Sequence, residues 1–458
     1  MEKIKDTIER IKNCRGSILK KYSSDQLFCQ SLQNVKKIVI INSSSRSGSS
    51  LLYAMLRKLP QVYSLTGEAA PFYKLNTSLN EYDLQESDKI PASLHDKVID
   101  FEGLSTDFFS DLYTSENGIH TNEINIEEYS DHLILRFLLQ WTDINFDLML
   151  MNSLVHKAFE KYAKRNVKFI TEDFYLLLLE EIGSVYPQVN PFYYDISTEK
   201  VALRFPFADV PSEPPNSYFN MEEPPFILQT PGKKATASDL SEKILLLKST
   251  VDCYRMKLLE KIFPNADIRI VFLVRNPAAT TNGIYDGWLH RGFFSHNLKP
   301  FFSSDNDLKE LSIKGYSDMF PFGKNWWNFD LPEGWQHYAN KELIDVCAFQ
   351  WYSANTEILN YIGSAKSNYC QVHYENIIRN IDQRTVEISR ILDFMDIPED
   401  YISHLHLDDL PIVQSTLPPQ LYRWKKRKDL ISRLLDDRKI LDMSAQLGYY
   451  KENLEDWL

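Results

Sequence analysis

The stretch Lys36–Leu59, KKIVIINSSSRSGSSLLYAMLRKL, decides how this chain is read. It opens on an apolar run, Ile38 to Ile41, and ends with Leu52, Met55, Leu56 and Leu59 on one face of a helix. Between them lie six serines, one arginine and one glycine. A buried strand that enters such a turn at a helix start builds an anion cradle. Backbone N–H groups and the positive end of the helix dipole point at one spot. Gly48 permits close backbone approach, and Arg46 adds a full charge. The alternative is a solvated serine-rich loop, which buried strands seldom feed.

Against the triphosphate-binding pattern GxxxxGK[ST], Gly48 takes the second glycine's place. Ser43 stands where the first glycine belongs, Ser49 where the lysine belongs, and Ser50 where the magnesium-binding hydroxyl belongs. The cation sits inside the loop, at Arg46, so an ordinary nucleotide triphosphatase is excluded.

The 458 residues hold 43% hydrophobic and 13% aromatic side chains, ample for a large core. A net charge of −12, from 51 basic and 63 acidic residues, argues against a nucleic-acid binder and a polyanionic substrate. Cys14, Cys29, Cys253, Cys347 and Cys370 are odd in number and lack CxxC spacing. They read as reduced thiols of a cytoplasmic protein without a metal site. The charged N-terminus lacks a signal-peptide core. No run approaches the roughly 18 apolar residues of a membrane span.

Further strand–turn–helix units begin at EKILLLKST, at DIRIVFLVRNP and at NYCQVHYENI, the last followed by TVEISRILDFMDI. Buried strands alternating with helices predict an α/β fold with a P-loop-like central parallel sheet flanked by helices. Residues 1–34 predict an outer amphipathic helix, and 76–200 a mostly helical insertion. Phe205–Lys233 carries seven of the 21 prolines and predicts an irregular lid or binding segment.

At this point the chain resembles the PAPS-dependent sulfotransferases, bacterial soluble type. SSSRSGSSLL is similar to their 5′-phosphosulfate loop, close to GSPRSGTTLL, and LTGEAAPFY to a Gly-Glu element of bacterial members. ILLLKST with LLEKIFPNADIRIVFLVRNP resembles their LLLKSP…FPDA…VFLVRDP block. VHYENI resembles YEDL, and LYRWKK with LGYY a closing C-terminal segment. The matches cover about 36–75, 243–290 and 343–450, in order. They imply 3′-phosphoadenosine 5′-phosphosulfate (PAPS) as donor, PAP as product and no metal.

The resemblance implies roles residue by residue. Arg46, Ser47, Gly48, Ser49 and Ser50 would hold the 5′-phosphosulfate, and Lys248 would lie near the transferring group. Arg275 would take the 3′-phosphate. Its usual serine partner is replaced by Gly283, which leaves Asn282, Thr281 or the Gly283 amide for that task. Arg423, Trp424 and Lys425 match the closing segment. Glu68 matches the bacterial base; His290 and His296 are its rivals.

The division expected is 1–75 and 241–458 for the two halves of the core and 76–240 for an inserted acceptor cap. Glu222 and Glu223, beside Tyr218, Phe219 and Phe226, would line an acceptor pocket. The function implied is sulfuryl transfer to a hydroxyl or amine of a small molecule, a specialised metabolite among the options; homodimerisation is left open. A small-molecule kinase would require a loop lysine and an acidic strand end for magnesium. A non-catalytic nucleotide-binding member stays open because of Gly283.

Overall fold

The computed structural model describes residues 2–76, 78–79, 87–90, 98–114, 119–290, 293–302, 308–365 and 368–458. The parts of the 76–240 stretch at 77, 80–86, 91–97 and 115–118 lie outside the described residues.

The strands in chain order are β1 (Lys37–Asn42), β2 (Val62–Leu65), β3 (Leu112–Thr114), β4 (Lys233–Lys234), β5 (Ile244–Lys248), β6 (Asp267–Val274), β7 (His296–Asn297), β8 (Trp326–Trp327) and β9 (Asn368–His373). Seven form the central sheet, in the order β4-β3-β2-β5-β1-β6-β9, while β7 and β8 make a separate two-residue ladder. From β2 through β9 every pairing is parallel. At the other edge β3 and β4 run antiparallel. The sheet is therefore mixed, not wholly parallel as the strand–helix alternation predicts. The two edge strands come from the 76–240 stretch. They join without the crossover helix that parallel neighbours need.

Alternate residues of the central strands enter two different cores. Ile38 and Ile40 pack with Leu245, Leu247, Ile270 and Phe272 on one face. Val39 and Ile41 pack with Leu246, Val271, Leu273 and Val372 on the other. Both faces are covered, so each strand reads as a continuous apolar run. The helices Ser49–Leu56 and Ile381–Phe394 supply Leu52, Met55, Ile388 and Ile391 to the second core. The helices Pro277–Trp288 and Leu343–Ala365 supply Ile284, Trp288, Trp351 and Ile358 to the first.

In the 76–240 stretch the helix Ile126–Gln140 is buried without interruption from Tyr129 to Gln140. It lies between the N-terminal helix and the helix Leu148–Ala163, and its apolar residues join the core of the first sheet face. Its buried charges are paired, Asp131 with Lys21 and both His132 and Arg136 with Asp111, as an interior helix requires. The N-terminal helix spans Glu2–Leu19 and ends well before residue 34; Ile4, Ile8, Ile11 and Ile18 form its buried stripe. Residues 205–232 carry no helix or ladder strand, as their prolines dictate. Among the described residues no helix is long and apolar enough to cross a membrane.

Candidate functional site

Parallel pairing puts the carboxyl ends of β1, β2, β5, β6 and β9 along one edge. The residues that follow them, Arg46, Glu68, Lys248, Arg275 and Tyr374, line one cavity of about 610 Å³. Open α/β sheets place their ligands at this edge.

The loop after β1 is held in an unusual shape. Arg46 has φ 63° and Gly48 φ 97°, both left-handed. A Cβ on Gly48 would stand 2.1 Å from the Tyr374 ring, so only glycine fits there. Left-handed Arg46 costs about 1 kcal/mol or more, strain of the kind stored at functional sites. Most of the serine hydroxyls brace the loop. Ser44 and Ser47 bond each other at 2.7 Å, Ser43 donates to the Ser44 carbonyl, and Ser45 donates to Asp330 at 2.8 Å. Ser47 is thus buried against Ser44 and does not line the cavity. Ser49 and Ser50 do reach the wall, at the start of the helix Ser49–Leu56.

Three guanidiniums converge beside this loop. Arg275 Nη1 donates to the Arg46 carbonyl at 3.1 Å and its guanidinium lies 4.6 Å over the Tyr374 ring. Arg46 lies 5.0 Å over Phe293. Burial, then the charges of Arg423 and Arg275, push Arg46 down to about 10. Arg46 Nε and Arg275 Nε are buried without a hydrogen-bond partner among the described residues. Such a cluster is relieved by a bound anion.

The residues expected around the 3′-phosphate divide. Asn282 is on the wall, but its amide is engaged at both ends: it donates to Asp286 at 3.4 Å and accepts from Arg427 at 2.5 Å. Asp286 also pairs with Arg423 at 3.1 Å, Lys426 at 3.0 Å and Arg427 at 2.7 Å. Gly283 faces the loop instead of the wall, and a Cβ there would stand 3.2 Å from Arg46 Cβ. Trp424 is on the wall, anchored by its indole N–H to the Trp457 carbonyl at 2.7 Å. Lys425 is off it, with its ammonium 3.9 Å over Tyr422.

In the same cavity, Glu68 accepts from Lys248 Nζ at 2.5 Å and from the Ser249 hydroxyl at 3.0 Å. Gly67 next to it leaves room for Arg136, whose Nη2 would otherwise meet a Cβ at 1.6 Å and have to shift. Arg136 is buried, with Nε 3.1 Å from Glu222 and Nη1 3.8 Å from Asp111. Burial raises Glu222 to about 7 against the pull of Arg136. Burial, then the Glu68 charge, raises Glu223 to about 8.

The expected bases also separate. His290 follows the helix Pro277–Trp288 and does not line the cavity; its ring lies 5.4 Å from Phe293. His296 does line it, with Nε2 3.4 Å from Asp88. Burial would raise Asp88, but His296 and Arg255 hold it at about 2. The aromatic lid residues are corrected as well. Glu222 and Glu223 reach the wall, whereas Tyr218 is exposed under Lys3, Phe219 packs near Lys74, and Phe226 is in the core. Phe293 and Phe329 reach the wall instead, with their rings 5.0 Å apart.

Sequence reasoning did not find Asp88, Arg136 or Gln414. Gln414 lies in the chain segment 410–424 that lines the cavity mouth. Its carbonyl accepts from Arg46 Nη1 at 2.8 Å and its Oε1 from Ser50 at 2.7 Å, while its N–H donates to Asp195 at 3.0 Å. No local motif marks these residues; each acquires its place only through the fold. Among the described residues no group of three His, Cys, Asp or Glu is placed to hold a metal ion.

No family model matches the sequence, and no curated protein matches it. Solved structures similar to it include the sulfotransferase domain of the olefin synthase from Synechococcus PCC 7002, 14% identical. That match covers 88% of this chain and 96% of the other, with a TM-score of 0.32. Sulfotransferase STF9 from Mycobacterium avium is 12% identical, over 95% of this chain and 84% of the other, with a TM-score of 0.35.

Proposed function

We propose that this chain is a PAPS-dependent sulfotransferase that moves a sulfuryl group to a hydroxyl or amine of a small-molecule acceptor. The observation that carries the reading is the convergence of Arg46, Arg275 and Arg423 on the loop at the end of β1. Two partnerless buried Nε atoms and a glycine that keeps the cradle open fit a nucleotide carrying phosphate at both ends. PAPS supplies the sulfuryl group and leaves as PAP.

The residues of the chain then divide the work. Arg46 and the amides of Gly48, Ser49 and Ser50 hold the 5′ end and neutralise charge that grows on the leaving phosphate. Arg275 and Arg423 hold the 3′-phosphate, with Asp286 fixing Arg423. The acceptor enters from the side of Glu223, Phe293 and Phe329. Glu68 takes its proton as the new S–O or S–N bond forms and the S–O bond to the leaving phosphate breaks, and Lys248 stabilises the carboxylate until then. The cations in this scheme belong to the chain, so turnover is expected to persist in a chelator.

Calorimetry tests the reading. PAP should bind at sub-millimolar concentration in the presence of EDTA. Binding of ATP–Mg²⁺ with no binding of PAP would replace it with a small-molecule kinase. Tight PAP binding with no turnover on any hydroxyl or amine compound would point to a non-catalytic nucleotide binder.

A further inference from the structure

We infer that Glu223 is the anchor for a cationic group of the acceptor, so that the substrate carries an ammonium or guanidinium beside the atom that is sulfated. The inference rests on the sulfotransferase reading and sharpens it.

Four carboxylates line the cavity, and three have cationic partners. Glu68 pairs with Lys248, Asp88 with Arg255 and His296, and Glu222 with Arg136. Glu223 alone of the four forms no ion pair among the described residues; its hydrogen-bonding neighbour is the Ser295 hydroxyl. That hydroxyl also accepts from the Phe329 amide at 2.7 Å, which fixes it in place. Nearby cations are committed elsewhere. Lys74 donates to the carbonyls of Asn220 and Met221, and Lys248 to Glu68.

A half-buried carboxyl that faces a cavity without an ion-pair partner is costly to ionise. Burial and the Glu68 charge push Glu223 up to about 8, against the weaker pull of Ser295, Lys74 and Lys248. An incoming cation restores the ionised form. Phe329, whose amide donates to the same Ser295 hydroxyl, lines this cavity too, and an aromatic face favours the same charge. Arg46, Arg275 and Arg423 line the same cavity and repel a cation, which favours its placement at Glu223.

The test uses pairs of probes that share a hydroxyl and differ in one cationic group: tyramine against p-propylphenol, and aminopentanol against hexanol. Each is titrated into the PAP-loaded protein. The ammonium member should bind about ten- to a hundredfold more tightly, the scale of one buried charge-assisted contact. Glu223→Gln should abolish that preference and leave PAP affinity unchanged, while Glu223→Asp should retain part of it. Equal affinity within the pairs, or a preference that survives Glu223→Gln, overturns the inference. If PAP does not bind, the sulfotransferase reading fails by itself. The same titrations without PAP then still decide the role of Glu223.

Discussion

Glu68 Oε1 and Lys248 Nζ stand 2.5 Å apart, one beyond the end of β2 and the other closing β5, two strands hydrogen-bonded to each other. The pair shares the cavity with Arg46, and both of its side chains reach the wall. A proton acceptor and a fixed cation thus share one point of the sheet edge.

Removing either member of this pair should act on the chemical step. Glu68→Gln keeps the shape and loses the base. Turnover should fall by about 10²–10⁴ with PAP affinity nearly unchanged. Lys248→Ala leaves Glu68 with only Ser249 and should cost about two decades in kcat/KM. His290→Ala should be close to wild type, since that ring is off the cavity wall. Single-turnover rates check the set. A larger loss for His296→Ala than for Glu68→Gln would transfer the base to the His296–Asp88 dyad.

The arginines should separate binding from discrimination. Arg46→Ala should lower kcat/KM by about two or more decades. Arg275→Ala should mainly weaken PAP and remove the preference for PAP over AMP. Gly283→Ser is the informative reversal, because it restores the hydroxyl that the resemblance leads one to expect. Here it should weaken PAP binding by up to about tenfold. The new Cβ would press on Arg46 Cβ at 3.2 Å, closer than comfortable contact, and displace the guanidinium that holds the 5′ end. Calorimetric titration of PAP and AMP into each variant decides. Tighter PAP binding by Gly283→Ser would show that the loop can yield.

Much of this arrangement is legible in the sequence, and the reason is geometric. Parallel strands end at one edge, so Arg46, Glu68, Lys248 and Arg275, each just past an apolar run, are brought together by the strand pattern alone. The antiparallel edge is not legible: Leu112–Thr114 and Lys233–Lys234 are too short to show a period of two. Arg136 reads as one charge on a helix face, and only the fold places it under Gly67. His290 and Lys425 match in type and spacing but fall on the wrong side of their segments. Spacing cannot reveal which way a residue at a helix end or in a turn points.

The raised carboxyls predict how stability varies with pH. Glu223 keeps its proton in the folded chain up to about 8, whereas the unfolded chain releases it near the ordinary 4.5. Its contribution to stability is therefore fully present below that ordinary value and is lost as pH rises towards 8. Glu222, at about 7, and Asp330, at about 6, act in the same direction over overlapping ranges. Asp88, held low, contributes the other way, and only where pH falls through 3.8 towards 2. Melting temperature should then decline from about pH 5 to about pH 8, with a shallower decline in Glu223→Gln. Superimposable slopes for the two proteins would contradict the assignment of a protonated Glu223.

Gln414 makes a further prediction, because its two oxygens accept hydrogen bonds from the very groups assigned to the 5′-phosphosulfate. Its carbonyl takes Arg46 Nη1 and its side chain takes the Ser50 hydroxyl. Its own N–H is held by Asp195, and its φ of 47° is left-handed. An anion at the loop must exchange with these oxygens, so the contacts compete with binding instead of assisting it. Gln414→Ala deletes the Ser50 contact and leaves every donor of the loop in place. PAP affinity should rise by up to about tenfold, the worth of one net hydrogen bond. Gln414→Gly also removes the cost of the left-handed backbone and therefore favours the segment as it stands. It should gain less than Gln414→Ala. Asp195→Asn weakens the hold on the Gln414 amide and removes a negative charge that acts on Arg46, and it should speed association. Stopped-flow traces of PAP binding to the three variants, at one salt concentration, measure both effects. Slower association and weaker affinity for Gln414→Ala would mean that the glutamine helps to hold the nucleotide, and the stretch 410–415 would then be part of the binding site and not its competitor.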